Sequence, residues 1–330
     1  MEAIMAVSFH HIPGLQVGHA QDFDAATGCT VVLTPQGAVG GVDQRGGAPG
    51  TRETDLLRPM HLIDKVHGVL LTGGSAFGLA ASVGVMCWLD EHGHGIDTGV
   101  ARVPIVPAAV IFDLALGRAD VRPTAAMGYA ACRALIDPLA PLPQGTVGAG
   151  TGATVGGILG PAARMKGGVG AATISLGPNL MVGALMVVNC FGDVVNPHNG
   201  QILAGALKLP DGGFADTMQQ LKEMPAGFSG AGNTVIGVVA TNAAMSKVAV
   251  NKVAQMAHNG LAQTIRPAHT MVDGDIIFAL ATGQGPAADV TLIGAYAAQA
   301  VAQAIVAAVE QATSLAGIPA LSEWRVGQSV

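Results

Sequence analysis

Charge is what this chain most lacks. Asp, Glu, Lys and Arg make up 12% of its 330 residues, against roughly 25% in an average globular protein. Lys and Arg are scattered without a basic run, and the net charge is −6. That balance leaves no electrostatic footprint for nucleic acid, and none is expected as a partner. So few charges also predict that much of the outer surface is covered, most simply by homo-oligomerisation.

Cysteine is sparse as well. Cys29, Cys87, Cys132 and Cys190 lie far apart and form no CxxC pair. They read as small buried hydrophobes, not zinc ligands, and no metal is expected. The close histidine pairs, His10-His11 and His92-Gly-His94, have no cysteine nearby and no helical partner at i+4. The first residues lack a basic region and a long apolar core, so they do not read as a secretory signal, and a cytoplasmic location is the expectation. One uncharged run, residues 68–89, is long enough to cross a bilayer. Gly73-Gly74-Ser75 divides it, however, and no Lys/Arg cluster flanks it. A buried strand, a turn and an amphipathic helix are predicted instead, with no membrane partner.

Nucleotide motifs are missing too. Gly148-Ala149-Gly150-Thr151-Gly152 is not GxGxxG, and there is no Walker A lysine pattern. GGSAFG at 73–78 resembles a nucleophile elbow only loosely, which leaves Ser75 a weak candidate nucleophile. No cofactor is expected.

What the sequence does hold is a mixture of apolar strands and helices without strict βαβ alternation. Residues 29–43 read as paired short strands around a Pro-Gln-Gly turn, and residues 51–66 as the start of a helix. A strand at 67–71, a helix at 77–90, an extended segment at 103–114 and a helix at 124–135 follow. Glycine-rich turns at 145–160 and 165–177 precede an apolar strand pair at 179–196. A polar loop at 208–232 carries one short helix at 215–223. Then come a strand at 234–241, a helix at 246–259, a strand–turn–strand at 269–283 and a buried Ala-rich helix at 290–312. Strands apolar on both faces fit a layered α/β sandwich of one domain.

The junction Asn233-Thr234 stands out. A polar, flexible stretch ends there and a β-branched run begins at once. Thr at the head of a buried strand is ordinary. Here, though, the preceding loop is long, Asn233 and Thr234 form a pair suited to an N→O acyl shift, and Asp273-Gly274-Asp275 lies downstream. Paired carboxylates there could orient an amine and a hydroxyl.

Seven segments in order, "GGVDQRGGAPGTRETDLL" (40–57), "LLTGGSAFGLAASVGVMCWL" (70–89), "VPIVPAAVIFDL" (103–114), "VGAGTGATVGG" (147–157), "MKGGVG" (165–170), "GNTVIGVVATNA" (232–243) and "IRPAHTMVDGDIIFALATG" (265–283), carry a family resemblance. The chain resembles the DmpA-like L-aminopeptidase/D-esterases. That group includes β-aminopeptidases and the endo-type 6-aminohexanoate (nylon-oligomer) hydrolase. The resemblance implies a four-layer αββα sandwich of the DmpA/ornithine-acetyltransferase-like type, made as a precursor that cuts itself before a Ser or Thr.

By position, it implies cleavage between Asn233 and Thr234 into subunits 1–233 and 234–330, with Thr234 as the new N-terminal nucleophile. Asn189, in "VVNCFGD", matches the oxyanion-binding amide. Asp273 and Asp275 match the carboxylate pair of the nylon hydrolase; the aminopeptidases have Ser-x-Glu there. His269, beside them, reads as a structural histidine. The lysine that the family carries after "GAGTGATVG" is Gly157 here, and Lys166 is the candidate to stand in for it. The active-site Tyr of some relatives is Phe112, which cannot donate a hydrogen bond and would form an apolar wall of the acyl pocket.

Implied overall is an amidohydrolase acting on small linear amides or peptides through an acyl-enzyme, assembled as a tetramer of processed αβ units. The alternatives are an acyltransferase of the ornithine acetyltransferase type, marked by acceptor-dependent turnover, and an unprocessed oligomeric scaffold, marked by a chain that stays intact.

Overall fold

A computed structural model describes residues 7–209, 212–224 and 232–327. Its organising element is one strand, Thr27–Gln44, which is 18 residues long. Residues 29–33 pair with the strand Lys65–Thr72, and residues 39–44 with the strand Ile276–Ala281. Between them the register shifts, and Gly37 takes a left-handed φ of 76°. A glycine accepts that conformation at no steric cost. The Pro-Gln-Gly signal is therefore a bulge within one strand, not a turn between two, and it lets the strand pass from one layer to the next.

Three apolar cores separate four layers. Helices Lys247–Thr264 and Val290–Glu310 pack against strands Gly168–Ser175, Met181–Asn189, Thr234–Thr241 and Ile276–Ala281 through Val235, Val239, Ala257, Val301 and Ile305. On the far side, helices Ala81–Glu91 and Ala125–Arg133 cover the strands Gln16–Asp22 and Lys65–Thr72 through Val31, Leu70, Val85 and Leu89. Between the two strand layers lie Val32, Leu71, Ile111, Leu185, Val187, Ile236, Val238 and Phe278. Each such side chain contributes about 1.5–3 kcal/mol on full burial. The architecture is the α/β sandwich that the sequence implies, and the Val290–Glu310 helix is part of its core even though its length and hydropathy would suit a membrane.

The strand Thr234–Thr241, TVIGVVAT, is buried at every position. Side chains alternate along a strand. Val235 and Val239 accordingly face the helices, whereas Ile236, Val238 and Ala240 face the other strand layer. The same alternation turns Thr234 toward the space between the layers.

Several local expectations change. Residues 51–66 form a two-residue strand, Thr51–Arg52, and a single 3₁₀ turn, Asp55–Leu57, rather than a helix. The apolar run 179–196 is not one pair: Met181–Asn189 joins the large sheet, while Asp193–Val195 joins a small one with Ile202–Ala204 and Ile265–Arg266. Residues 269–275 form a turn ahead of the single strand Ile276–Ala281, not a strand of their own. Cys29, Cys132 and Cys190 are buried, but Cys87 is exposed. The short helix is Thr217–Glu223, capped by the Asp216 carboxylate. Residues 210–211 and 225–231 of the polar loop lie outside the described residues, as do residues 1–6, the start of the segment that does not read as a secretory signal.

Candidate active site

Thr234 opens its strand at 5% exposure, directly across from Asn189 in the antiparallel register. Its Oγ1–H donates to the carbonyl oxygen of Asn233. The same carbonyl accepts the N–H of Gly274 at 3.2 Å. The bond expected to be cut thus has its oxygen held by a fixed backbone donor and its carbonyl beside a hydroxyl. Gly274 is required by space: a Cβ there would stand 2.5 Å from the Ala48 carbonyl oxygen and 3.0 Å from Thr234 Oγ1. This donor escaped the sequence reading, because a backbone N–H leaves no mark beyond the glycine itself.

A cavity of about 210 Å³ opens at Thr234, lined among others by Gly50, Ser75, Val110, Phe112, Asn233 and Val272. Phe112 stands in its wall. Ser75 also lines it, at a left-handed φ of 52°. A larger cavity, about 550 Å³, lies by Phe9, Leu139 and Gln144. It contains no residue of this constellation, so chemistry rather than size selects the smaller one.

Both aspartates are buried at 1% exposure and brace the junction from behind. Asp275 Oδ1 accepts the N–H of Val235 at 2.9 Å, one residue past Thr234. Its Oδ2 accepts the backbone N–H of His269 and faces His269 Nδ1 at 2.8 Å. Asp273 Oδ1 accepts the Phe191 N–H at 3.1 Å, and its Oδ2 accepts the Thr270 hydroxyl. His269 is fixed through Nδ1; its Nε2 has no partner among the described residues, and the ring of His258 meets it edge-on at 4.9 Å.

Burial, then the charge of Asp275, pushes the Asp273 carboxyl up to about 7. Unfolded, such a group titrates near about 3.9. A raised folded value means that its contribution to stability is complete below about pH 4 and is lost as pH rises through about 7. Asp273→Asn should therefore gain on the wild type in melting temperature between about pH 5 and pH 8. Parallel curves across that range would show an ordinary carboxyl.

Asn189 is fully buried. Its Oδ1 accepts the Thr154 N–H at 2.9 Å, and its Nδ2 donates to the Phe112 carbonyl at 3.3 Å. In the continuous chain, then, the Asn233 carbonyl has its donor from Gly274 and not from Asn189. Lys166 corrects the expectation placed on it. Its Nζ donates to the carbonyls of Thr151 and Ala153 at 2.8 and 2.7 Å, and it does not line the cavity. Burial pushes its ammonium down to about 7, opposed by the nearby Asp113 carboxylate. It ties the glycine-rich loop together.

The cation at the Gly157 position is another residue, which the sequence reading missed. A Cβ on Gly157 would stand 3.0 Å from Asn233 Oδ1 and 3.2 Å from Arg164 Nη2. Arg164 Nη1 donates to Thr154 Oγ1 at 3.1 Å. No local signal in the sequence ties Arg164 to Asn233. Among the described residues no group of three or more His, Cys, Asp or Glu is arranged to hold a metal ion.

The chain matches the sequence profile of peptidase family S58 over residues 8–321. It is 47% identical over 349 residues to an uncharacterized aminopeptidase of Mycobacterium leprae, across 94% of this chain and 92% of that protein. It is 34% identical over 276 residues to a 6-aminohexanoate-oligomer endohydrolase of a Kocuria species, across 82% of this chain and 74% of that one. Among solved structures it is similar to the L-aminopeptidase D-Ala-esterase/amidase from Ochrobactrum anthropi, described as a variant of the Ntn-hydrolase fold. The TM-score is 0.71 at 19% identity, covering 96% of this chain and 91% of that one. A Burkholderia β-aminopeptidase gives a TM-score of 0.68 at 23% identity, over 98% and 92% of the two chains.

Proposed function

The chain belongs to peptidase family S58 and is an amide-bond hydrolase, and from that premise we propose that Thr234 is its nucleophile, freed when the chain cuts itself after Asn233. The observation that carries this reading is the Asn233 carbonyl, held between the Gly274 N–H and the Thr234 hydroxyl.

In self-cleavage, Thr234 Oγ1 attacks the Asn233 carbonyl carbon. The C–N bond breaks, the Thr234 nitrogen takes the hydroxyl proton, and an ester joins the two segments. Water then hydrolyses the ester. It leaves a carboxylate on Asn233 and a free α-amine on Thr234. Asp275 holds the Val235 N–H and so fixes the strand end through which the nucleophile is aimed.

A threonine hydroxyl is a poor nucleophile without a base beside it. The freed amine, with a reference pKa of about 7.7–8.0, supplies one in the range where general-base efficiency is best. It takes the Oγ1 proton as the oxygen attacks the substrate carbonyl, then returns it to the departing amine. Water releases the acid from the acyl-enzyme. Asn189 Nδ2 supports the oxyanion of this second reaction once released from Phe112, and Gly274 N–H supports it throughout. Phe112 shapes the apolar wall.

Substrates are small linear amides or short peptides, as the names of the aminopeptidase and oligomer-hydrolase relatives suggest. The working enzyme is a homo-oligomer of 1–233 and 234–330 pairs, cytoplasmic in location. Exposed Val248 and Leu292 on the two outer helices, with the scarcity of charge, support such a covered surface. Intact-mass measurement of the denatured wild-type protein should give two fragments that meet between Asn233 and Thr234. A chain that stays whole at every pH and time would overturn the nucleophile.

A further inference from the structure

Resting on that reading, the uncut chain displays its own first substrate. Asn233 is the residue whose acyl group is transferred, so its atoms mark where a substrate's acyl residue sits. Its N–H donates to the Val272 carbonyl at 3.3 Å, and its carbonyl oxygen accepts the Gly274 N–H. Its side chain lies beside Gly157, at 2% exposure, with neither Oδ1 nor Nδ2 hydrogen-bonded among the described residues. An unpaired buried carboxamide is costly.

The Arg164 guanidinium comes up against the same glycine, its Nη2 3.2 Å from where a Cβ would stand. Its Nη1 is committed to Thr154, but its buried Nε has no partner, and among the described residues Arg164 enters no ion pair. Arg164 is half-buried, and a cation partly withdrawn from water favours a polar or charged partner. The unpaired Asn233 carboxamide and Arg164 Nη2 thus both come within 3.4 Å of the place a residue-157 Cβ would take, and the absence of a side chain there sets the space they share. A short side chain ending in an anion or a carboxamide would satisfy the guanidinium there. A branched apolar side chain would bury it unpaired.

We propose that this space is the side-chain subsite for the acyl residue, and that it selects amides of an N-terminal residue bearing a short carboxylate or carboxamide, aspartyl first and asparaginyl second. The substrate amine takes the place of the Asn233 nitrogen on the Val272 carbonyl. The substrate carbonyl oxygen takes the place of the Asn233 oxygen on Gly274 N–H. The side-chain carboxylate lies between Gly157 and Arg164. Sites built around a polar partner discriminate strongly, because the wrong substrate leaves buried groups unpaired.

The test is kcat/KM of the wild-type protein for the p-nitroanilides of L-aspartate, L-asparagine, L-alanine and L-leucine, beside Arg164→Gln and Gly157→Ala. The wild type should prefer the aspartyl over the leucyl anilide by about tenfold or more, and Arg164→Gln should lower that ratio by about tenfold. Gly157→Ala leaves the guanidinium in place and narrows the space, so it should lower the ratio without depending on how Arg164→Gln folds. A wild type that splits its chain yet prefers leucine or alanine, or a ratio unmoved by both variants, overturns the subsite and leaves Thr234 standing. A wild type that never splits and turns over no anilide overturns the nucleophile and the subsite together. Retained turnover in Thr234→Ala overturns the nucleophile by a different readout.

Discussion

Thr234→Ala leaves the chain in one piece and lowers amide turnover by about ten-thousand-fold or more, the scale on which removal of a covalent nucleophile acts. The large effect follows from a double loss. The hydroxyl proposed to attack the Asn233 carbonyl is gone, so the α-amine that would serve as base is never freed either. Stability should hardly move. The substitution removes one hydrogen bond, from Oγ1 to the Asn233 oxygen, with a net contribution of about 0.5–1.5 kcal/mol. That oxygen keeps its bond from Gly274 N–H. The control is Thr234→Ser, which retains the hydroxyl and should split at the same bond. Denaturing mass spectrometry and a thermal melt of the three proteins decide the matter. Fragments meeting at residue 234 in the alanine variant would show that another group makes the cut. An unsplit alanine variant that melts far below the wild type would point to a folding defect instead of a missing nucleophile.

The legible and illegible parts of this molecule divide by distance along the chain. Thr234–Thr241 is readable as a buried strand because its β-branched pattern is local, and the long helix at 290–310 is readable because its apolar residues surround it. The family-bearing segments carry the sandwich architecture and the candidates Thr234, Asp273 and Asp275, and residues 187–193 carry Asn189. Contacts between distant segments are not readable in this way. Asp275 meets Val235 across 40 residues, and Asn189 meets Phe112 across 77. Lys166 and Arg164 show the limit most clearly. They are two residues apart in one short stretch, and composition alone favours the lysine beside the glycines. Pairing of Met165–Lys166 with Thr154–Val155 turns Lys166 into the glycine-rich loop, while Arg164, just outside the pairing, meets Thr154 Oγ1 and the Gly157 space. Residues two apart in a strand share a face, so alternation does not part them; Arg164 ends the 3₁₀ turn Pro161–Ala163 and lies outside the strand pairing that directs Lys166. Residues 51–66 form no helix for a related reason: the chain there is committed to pairing Thr51–Arg52 with residues 108–109, and only the 3₁₀ turn Asp55–Leu57 follows.

Asn189→Ala should separate the two reactions proposed for Thr234. In the continuous chain the Asn189 amide is occupied at both ends, by Thr154 N–H on Oδ1 and by the Phe112 carbonyl on Nδ2. The carbonyl attacked in self-cleavage takes its donor from Gly274. Chain splitting should then survive in the alanine variant. Turnover of an added amide should fall by about a hundred- to a thousand-fold, the loss of about 2.7–4 kcal/mol that follows removal of one oxyanion donor. The fall should sit in kcat with KM little changed, because the donor acts on charge that develops only in the transition state. Truncation also strands the Thr154 N–H, at about 1–3 kcal/mol of stability. Asn189→Asp addresses that: its carboxylate still accepts from Thr154 but brings no N–H to the oxyanion. Both variants should split, and both should be slow. A pair of variants that turn over substrate at the wild-type rate would confine Asn189 to holding the loop of residues 147–157 against its strand. If both failed to split, Asn189 would be part of the first reaction too, and Gly274 N–H alone would be too weak a donor for the precursor carbonyl.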